Sequence, residues 1–475
     1  MRRTRRRPVY ASNSLACETG LETRASSQTQ ELCSVNVKEV PKDVIKIIFC
    51  YICEENALPY ALQLRAVCRA WREVVDTSAE LWRRADFSYP SCNPRDSDLQ
   101  LLFRIDAWKH ILELSLRECG KLSDASLSTV VGACSRLCLL DLSETSCFSE
   151  PAISEAAAQM PRLTTLRLSR LVTKPQRKGA VDSALQAVGR SALPDSLRHL
   201  EAEHCPHLTN RGLRAIVNAG RGASPFRCMH GLRTLALTAS GSLMGRISLP
   251  LDGLQRCCPN LERLLVNGLG GAYGWEPGAP SALRKPGRGL PRLVVAEVAA
   301  CVTVRTAGTE LGTSYVTDDV LRFLLHASRG LEELDIGGCR AGPEGIRGIP
   351  EGAPLRRVSV ARGAAACDEA LELLVQCSWR TLEALDAGGA GHAITDESLG
   401  DLACCPSLRH IDISGSAVTD RGLRELAEQR SCLERSALRS IDIKSCRGVT
   451  REARKAAAIG PESLWEHLKE DRGPD

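Results

Sequence analysis

The sequence has no long apolar run. No stretch is long enough to span a bilayer, and no apolar signal core follows the basic N-terminus. It also has no N-x-[ST] sequon, the acceptor for N-glycosylation in secreted proteins. These absences disfavour secretion and membrane insertion. We therefore expect a protein of the cytoplasm, the nucleus or both, with no membrane partner.

Signatures of catalysis are missing as well. There is no G-x-x-x-x-G-K-[ST] phosphate loop, no H-E-x-x-H zinc helix and no G-x-S-x-G nucleophile elbow. The C-x-x-C formed by Cys50 and Cys53 has no second pair, which makes it a weak metal or redox motif. The H-C-P-H run at 204–207 is accounted for by a repeat cysteine and an exposed turn. The sequence predicts a protein that is not an enzyme and has no metal or cofactor.

The net charge of +5 has a single source. Five arginines stand among the first seven residues, and the remainder of the chain is balanced. A balanced body argues against a basic nucleic-acid surface, so we expect no nucleic-acid partner. Residues 1–36 lack periodicity and are predicted to be a disordered basic arm. The R-R-T-R-R-R run is either a nuclear-import patch or a solvated arm without a specific role.

A repeated pattern dominates the rest of the chain. In one unit Leu408, Ile411 and Ile413 occupy the first, fourth and sixth positions, and V-T-D at 418–420 precedes an amphipathic stretch. This L-x-x-L-x-L pattern is typical of leucine-rich repeats, in which a strand is followed by a helix. The units begin at Ile111, Leu137, Leu163, Leu197, Leu232, Leu261, Leu293, Leu331, Leu355, Leu382, Leu408 and Leu438.

These units, about twelve in number, cannot bury their apolar faces alone and must stack. The sequence therefore predicts an α/β solenoid over residues 111–460, with a curved parallel sheet inside and helices on the convex side. Residues 88–110 are predicted to be a linker or N-terminal cap. Residues 461–475, with Leu464, Trp465 and Leu468 at helical spacing, are predicted to be a C-terminal cap and tail.

The 22 cysteines fit the same repeat. Many fall near helix ends or just after the strand, where cysteine acts as a small buried residue or a weak hydrogen-bonding group. This placement favours free thiols and a reducing compartment over disulfides. The cysteines that follow strands are Cys119, Cys205, Cys301, Cys339 and Cys446.

The pattern changes to short helices between Val37 and Phe87. Pro41 suits a first helical turn, and an apolar stripe follows it at helical spacing. A unit of roughly 50 residues has little core of its own. Its apolar positions exceed what one small core can hide, and such a surplus usually meets a partner.

The residues of this segment resemble an F-box. The resemblance lies in Val40-Pro41, the apolar stripe, the V-C-R-A-W-R run at 67–72 and L-W-R-R-A at 81–85; Val40 stands where leucine is usual. Together with cysteine-containing repeats, residues 37–87 and 111–460 resemble the F-box/leucine-rich-repeat class.

That resemblance implies a substrate-recognition adaptor of a cullin–RING (SCF-type) ubiquitin ligase. The F-box would bind the small adaptor subunit and, through it, a cullin, while the repeats would bind a client protein. Three alternatives stay open: a helical cap without an adaptor, a scaffold that transfers no ubiquitin, and a ligand-sensing receptor.

The adaptor-binding residues carried over are Val40, Pro41, Ile45, Ile48, Leu64, Val67, Cys68, Trp71, Leu81 and Trp82. Of these, Pro41, Ile45 and Ile48 would face the adaptor; Leu64, Val67, Cys68 and Trp71 would form the core and its rim; and Leu81 and Trp82 would join the F-box to the repeats.

Candidate client-binding residues come from strand alternation. The third, fifth and seventh positions of each unit point away from the core, which brings acidic residues of the late repeats to one level. They form either a stripe for a basic peptide or an ordinary strand ending of this repeat class. The insert at 268–291 is either a binding loop or a tolerated surface loop. The predicted client-binding residues are Asp335, Asp386, His410, Asp412, Asp442, Tyr273 and Trp275.

Overall fold

The computed structural model describes residues 40–88, 93–172, 180–191, 193–205, 208–217, 227–239, 251–267, 289–299, 316–431 and 438–470. Within them, thirteen strands form one parallel sheet in which every strand pairs with its neighbours in the sequence. This order is that of an open stack of repeats, so the predicted α/β solenoid is confirmed. In the described part of the chain, no helix is long and apolar enough to cross a membrane.

The sheet begins earlier than the repeat pattern predicted. Its first strand, Arg84–Asp86, lies inside the segment that resembles an F-box and pairs in register with Glu113–Ser115. The sheet therefore has one strand more than the repeats counted from the sequence. The strands are β1 (Arg84–Asp86), β2 (Glu113–Ser115), β3 (Leu139–Asp141), β4 (Thr165–Arg167), β5 (His199–Cys205), β6 (Thr234–Ala239), β7 (Arg263–Leu265), β8 (Val295–Glu297), β9 (Glu333–Asp335), β10 (Arg357–Ser359), β11 (Ala384–Asp386), β12 (His410–Asp412) and β13 (Ser440–Asp442).

Helices occupy the other layer of the stack. They form where apolar residues recur at helical spacing, as in Val320, Leu321, Leu324 and Leu325, all of which are buried. The helices are α1 (Lys42–Ile52), α2 (Tyr60–Val67), α3 (Arg69–Thr77), α4 (Asp96–Leu102), α5 (Asp124–Ala133), α6 (Glu150–Gln159), α7 (Ala180–Arg190), α8 (Leu193–Ser196), α9 (Asn210–Val217), α10 (Leu251–Cys257), α11 (Asp318–Leu325), α12 (Pro343–Ile346), α13 (Asp368–Ser378), α14 (Asp396–Ala403), α15 (Asp420–Ser431), α16 (Arg451–Ile459) and α17 (Pro461–Glu470).

Most strands contain three residues, of which the middle one is buried. In β9, Leu334 is buried while Glu333 and Asp335 are partly exposed, because successive strand side chains point to opposite faces. Strands pack about 4.8 Å apart, whereas a helix needs about 10 Å. The sheet therefore lines the shorter, inner side of the stack. The strand side chains that point away from the core form the inner face of the solenoid.

A tight turn follows eight of the strands, β2–β4 and β9–β13. The residue three positions after the strand's last paired residue adopts a left-handed backbone, for example Gly389 with φ of 78°. Glycine adopts this conformation without strain, whereas other residues lose about 1–2 kcal/mol in it. The recurrence of the turn indicates that the stack imposes it. The same position is held by Glu118, Glu144, Arg170, Gly338, Arg362, Gly415 and Ser445.

Aspartates at the start of the helices join consecutive repeats. Asp368, the first residue of α13, accepts hydrogen bonds from the backbone N–H (2.9 Å) and hydroxyl (2.8 Å) of Thr395, which precedes α14. Asp396 in turn binds the N–H of Thr419 at 2.8 Å and its hydroxyl at 2.7 Å. The Thr395-Asp396 pair thus connects its unit to both neighbours. Backbone N–H groups of the next unit also reach Asp96, Asp124, Asp182, Asp318 and Asp420.

Cysteines after the strands form a second set of contacts between repeats. The thiol of Cys446 donates to the carbonyl of Ile413 in the preceding unit at 3.2 Å, and Cys339 donates to Val298 at 3.3 Å. The described cysteines are free thiols. Burial raises the pKa of Cys205 to about 12, so this thiol stays protonated and available as a donor.

Aromatic residues connect the N-terminal helices to the sheet. Phe49 of α1 meets the edge of Trp71 of α3 with ring centroids 4.9 Å apart. Trp82 donates its indole N–H to the carbonyl of Val75 at 2.9 Å and packs edge-on against Trp108, with centroids 5.4 Å apart. Both Trp82 and Trp108 are fully buried, so α1–α3 share a continuous core with the first repeats.

Removal of one inter-repeat aspartate tests the role of these contacts. We expect Asp368→Ala to lower the free energy of unfolding by about 2–3 kcal/mol, because three donors to a carboxylate lose their acceptor. Those donors are the N–H and hydroxyl of Thr395 and the hydroxyl of Ser398. Chemical denaturation followed by circular dichroism measures the loss. Glu372→Ala, an exposed position on the same helix, is the control and should change stability by no more than about 0.5 kcal/mol.

Candidate binding surfaces

Helix α1 is apolar on two faces. Ile45 and Phe49 are 5% and 2% exposed and point into the core of the N-terminal unit. A second set of apolar residues on the same helix is exposed, at positions that follow i, i+3, i+4, i+7 and i+8 and therefore share one face. These residues, here called the α1 outer face, are Val44 (44% exposed), Ile47 (68%), Ile48 (49%), Tyr51 (80%) and Ile52 (41%).

The structure places several predicted adaptor-binding residues at or near the surface. Ile48 belongs to the α1 outer face, and Pro41, at the start of that helix, is exposed. Val67 is 61% exposed at the end of α2. Cys68 is exposed at the N-terminus of α3, where its sulfur accepts the backbone N–H of Trp71 at 3.5 Å. Val40, Leu64 and Trp71 are partly buried against the core.

Three predicted adaptor-binding residues have a different burial from the one expected. Ile45 was expected to face the adaptor, yet it is in the core, because Ile45 and Phe49, one helical turn apart, form the buried side of α1. Val67 and Cys68 were expected in a core and its rim, yet both are exposed, because the chain changes direction between α2 and α3 there. Leu81 and Trp82 are buried at the junction with the sheet, the position expected of residues that join the two parts.

The predicted acidic residues lie in one row across the inner face. Asp386 is in register with Asp412, which is in register with Asp442. On the other side, Ser359 separates Asp386 from Asp335. The row lies between two adjoining grooves of about 530 Å³ and 540 Å³, and Asp335, Ser359, Asp386 and Asp412 line both.

Each aspartate of the row also stabilises its own turn. One carboxylate oxygen accepts the backbone N–H two residues later, at 2.9 Å for Asp335, 3.1 Å for Asp386, 2.9 Å for Asp412 and 2.9 Å for Asp442. This contact favours the interpretation that aspartate is an ordinary strand ending of the repeat. It uses one oxygen of each carboxylate, and the second oxygen of Asp386 lies 3.5 Å from the hydroxyl of Ser359.

The aspartates of the row differ in whether a cation pairs with them. Lys444 binds the second oxygen of Asp442 at 2.5 Å. Among the described residues, no lysine or arginine forms an ion pair with Asp335, Asp386 or Asp412. In the early repeats, three carboxylates near the inner face are paired: Glu113 with Arg84 at 2.7 Å, Glu201 with Arg167 at 2.9 Å and Glu144 with Arg117 at 2.6 Å.

The pKa values of the row reflect this difference. Burial, together with the neighbouring Asp412 and Asp335, raises the pKa of Asp386 above its ordinary value. Burial also raises the pKa of Glu297, with Asp335 adding to the effect. Burial acts upward on Asp442 too, but the hydrogen bond and charge of Lys444 outweigh it and lower the pKa of Asp442.

The remaining predicted client-binding residues divide into two groups. His410 is exposed on β12, where its Nδ1 is 2.8 Å from the hydroxyl of Ser440. It lines the first groove together with Asp386, Asp412 and Asp442. Tyr273 and Trp275, like Cys301, lie outside the described residues.

Two sets of residues at these surfaces were missed by the sequence analysis. Glu297 pairs in register with Asp335 and extends the acidic row to β8; counting to the fifth position of its repeat would have found it. Ile47 and Tyr51 complete the α1 outer face, and a second apolar stripe at helical spacing was the available signal. The described residues contain no group of three or more histidines, cysteines, aspartates and glutamates placed to hold a metal ion.

Comparison with known proteins bears on the fold. A family model described as "Leucine Rich repeat" matches residues 404–427, which run from the end of α14 through β12 into α15. The fold is a leucine-rich-repeat solenoid. No curated protein matches the sequence.

Solved structures are similar to the solenoid at low identity. The crystal structure of the Rad7 and Elc1 complex in yeast contains a chain with 16% identity and a TM-score of 0.44, with 86% of this chain and 90% of that chain covered. An internalin (inlF) from Listeria monocytogenes has 13% identity and a TM-score of 0.38, with 71% of this chain and 82% of that chain covered. At these TM-scores neither likeness bears on what the solenoid binds.

Neutralising single aspartates of the row tests its electrostatics. Since the pKa of Asp386 is raised in the folded state, its ionised form weakens folding, and Asp386→Asn should raise the melting temperature at neutral pH. The gain should shrink as the pH falls through the raised pKa and disappear below the ordinary value of 3.8. Differential scanning fluorimetry from pH 3 to 8 measures it, and asparagine keeps the oxygen that accepts the turn N–H.

Asp442→Asn is the matched comparison. The pKa of Asp442 is lowered, so its ionised form strengthens folding at neutral pH and is lost on acidification. This variant should melt at a lower temperature than the unaltered protein at pH 7. Equal shifts of the same sign in both variants would contradict the assigned charge balance.

Proposed function

We propose that the protein is the substrate-recognition adaptor of a cullin–RING (SCF-type) ubiquitin ligase. The N-terminal helices bind the small adaptor subunit and, through it, a cullin, and the inner face of the solenoid binds a client protein. In this role the chain performs no bond chemistry and requires no cofactor. It contributes proximity, because a bound client meets the ubiquitin-loaded enzyme at a raised effective concentration.

The α1 outer face is the observation that carries this proposal. An apolar side of a helix is normally buried, yet the side of α1 formed by Val44, Ile47, Ile48, Tyr51 and Ile52 is exposed. A contiguous apolar surface of this kind marks a site of protein association. It lies on the segment that resembles an F-box, a motif that binds a partner through such a surface.

The construction of the unit supports a docking role. Phe49, Trp71, Trp82 and Trp108 fix α1 and α3 to the first strands, so the outer face is presented on a rigid support. A rigid surface loses little conformational entropy on binding. The free thiols among the described cysteines support a location in the cytoplasm or nucleus, where such ligases act.

Charge placed on the α1 outer face tests adaptor binding. We expect Ile48→Glu combined with Tyr51→Glu to weaken co-purification with the adaptor subunit by about a hundredfold, since two buried carboxylates would lack partners. Isothermal titration calorimetry with the purified adaptor subunit gives the affinity. Both positions are exposed, so circular dichroism should show an unchanged helix content.

The control places the same substitutions on other exposed apolar residues. Leu101 of α4 and Ile459 of α16 are 58% and 81% exposed. Leu101→Glu combined with Ile459→Glu should leave the affinity for the adaptor subunit unchanged. If the unaltered protein does not bind the adaptor subunit at all, the ligase role is wrong and a scaffold without ubiquitin transfer takes its place.

A further inference from the structure

We propose that the inner face of β8–β13 binds an extended, arginine- or lysine-rich segment of a partner protein. This inference rests on the proposed function for its assignment of client binding to the inner face, and it specifies the chemistry of the client. The surface is the sheet face along the first groove, which runs from Glu297 on β8 to Asp442 on β13.

The groove has a strong excess of negative charge. Six carboxylates line it, with one guanidinium, that of Arg357, to oppose them. Arg357 already forms a short ion pair with Glu333. The carboxylates are those of Glu297, Glu333, Asp335, Asp386, Asp412 and Asp442.

The floor of the groove is the sheet itself. Leu334, Val358, Leu385 and Ile411 are the buried residues of successive strands beneath the charged row, and they hold the carboxylates on a fixed backbone. Strand spacing of about 4.8 Å gives the row from β8 to β13 a length of about 24 Å. An extended segment of about seven residues has that length at roughly 3.3 Å per residue.

The row is electrostatically unfavourable without a partner. Asp335, Asp386 and Asp412 are held close to one another and form no ion pair with the described residues, although Arg362 and Lys444 line the second groove beside them. Burial, with repulsion from Asp412 and Asp335, raises the pKa of Asp386. A guanidinium or ammonium group would relieve that repulsion and bind the carboxylate oxygen that the turn does not use. The early repeats show the same chemistry within the chain, where Arg167 pairs with Glu201 on neighbouring strands.

Lys444 indicates how such a group would be held. Its ammonium binds Asp442 at 2.5 Å at the end of the row, and Asp412 contributes to raising the pKa of Lys444. Among the described residues, a cation thus pairs with Asp442 at β13, and none forms an ion pair with the three aspartates before it. A basic partner segment would supply the remaining ones.

The test is direct binding of a defined peptide to the full chain. The probe is a fluorescein-labelled peptide of alternating arginine and alanine, about ten residues long to exceed the row. Fluorescence anisotropy should report binding that weakens as salt is raised, since screening reduces the attraction. A peptide of alternating glutamate and alanine is the charge-reversed probe and should not bind.

The key variant is the triple substitution Asp335→Asn, Asp386→Asn and Asp412→Asn. Asparagine keeps an oxygen for the turn N–H, so the fold should persist while three charges are removed. The affinity for the arginine probe should fall by about thirtyfold or more. The matched control removes three charges from exposed positions on the helical side and should lose less than about threefold. Its substitutions are Glu372→Gln, Glu397→Gln and Glu466→Gln.

Four outcomes would overturn the inference. They are an absence of binding to the arginine probe, equal losses in the triple variant and its control, binding of the glutamate probe, and binding of only a peptide of the chain's own residues 1–12. The last would assign the groove to the N-terminal arm. If the triple variant loses its circular dichroism signal, Asp412→Asn alone replaces it. The affinity of this single variant for the arginine probe should fall by about threefold, and an unchanged affinity would contradict the proposal.

These outcomes are separable from the ligase role. Ile48→Glu combined with Tyr51→Glu lies outside the groove and should leave the peptide affinity unchanged. Peptide binding without adaptor binding would leave the basic-segment inference standing and remove the ligase. Adaptor binding without peptide binding would leave the ligase role standing and remove the basic-segment inference.

Discussion

A carboxylate shared between neighbouring repeats is the interaction on which the solenoid depends. Each repeat supplies a strand that is mostly three residues long and one short helix, too little to enclose a core. At seven helix entries an aspartate accepts donors that begin the next unit, so the stack is joined there. In Asp182 burial outweighs these hydrogen bonds and raises the pKa. Such burial of a carboxylate is tolerable only because Thr209 satisfies both of its oxygens.

Aspartate serves a second purpose on the opposite side of the late repeats. At the strand end one oxygen closes the local turn, as between Asp412 and the N–H of Ser414. At the helix entry both oxygens of Asp396 are occupied by Thr419. A substitution would therefore have a different effect at each of the two positions. The helix entry determines stability, whereas the strand end can determine what the inner face binds.

Periodicity predicted the stack because both the apolar and the T-D positions recur at fixed spacing. It did not predict β1, since Arg84–Asp86 lies within a segment whose resemblance pointed to helices and whose pairing depends on a distant strand. Nor could it orient α1, because residues apolar on both sides of a helix give no single stripe. Only packing against Trp71 shows that Phe49 and Ile45 are inside and Ile48 outside. The acidic row was predicted, but its lack of cations is a tertiary property that residue spacing cannot reveal.

The number of repeats sets the distance between the two surfaces. Helix α1 precedes β1 in the chain, whereas the acidic groove begins at β8, seven strand steps or about 34 Å from β1 along the sheet, and ends about 58 Å from it. Both separations far exceed the screening length of about 8 Å at physiological salt, so charge changes at one surface should not reach the other. In the proposed role this spacing is functional, because effective concentration depends on how far a rigid support holds the client from its enzyme. Hydrogen-bonded strands fix that distance in steps, and a change in reach would require gain or loss of whole repeats.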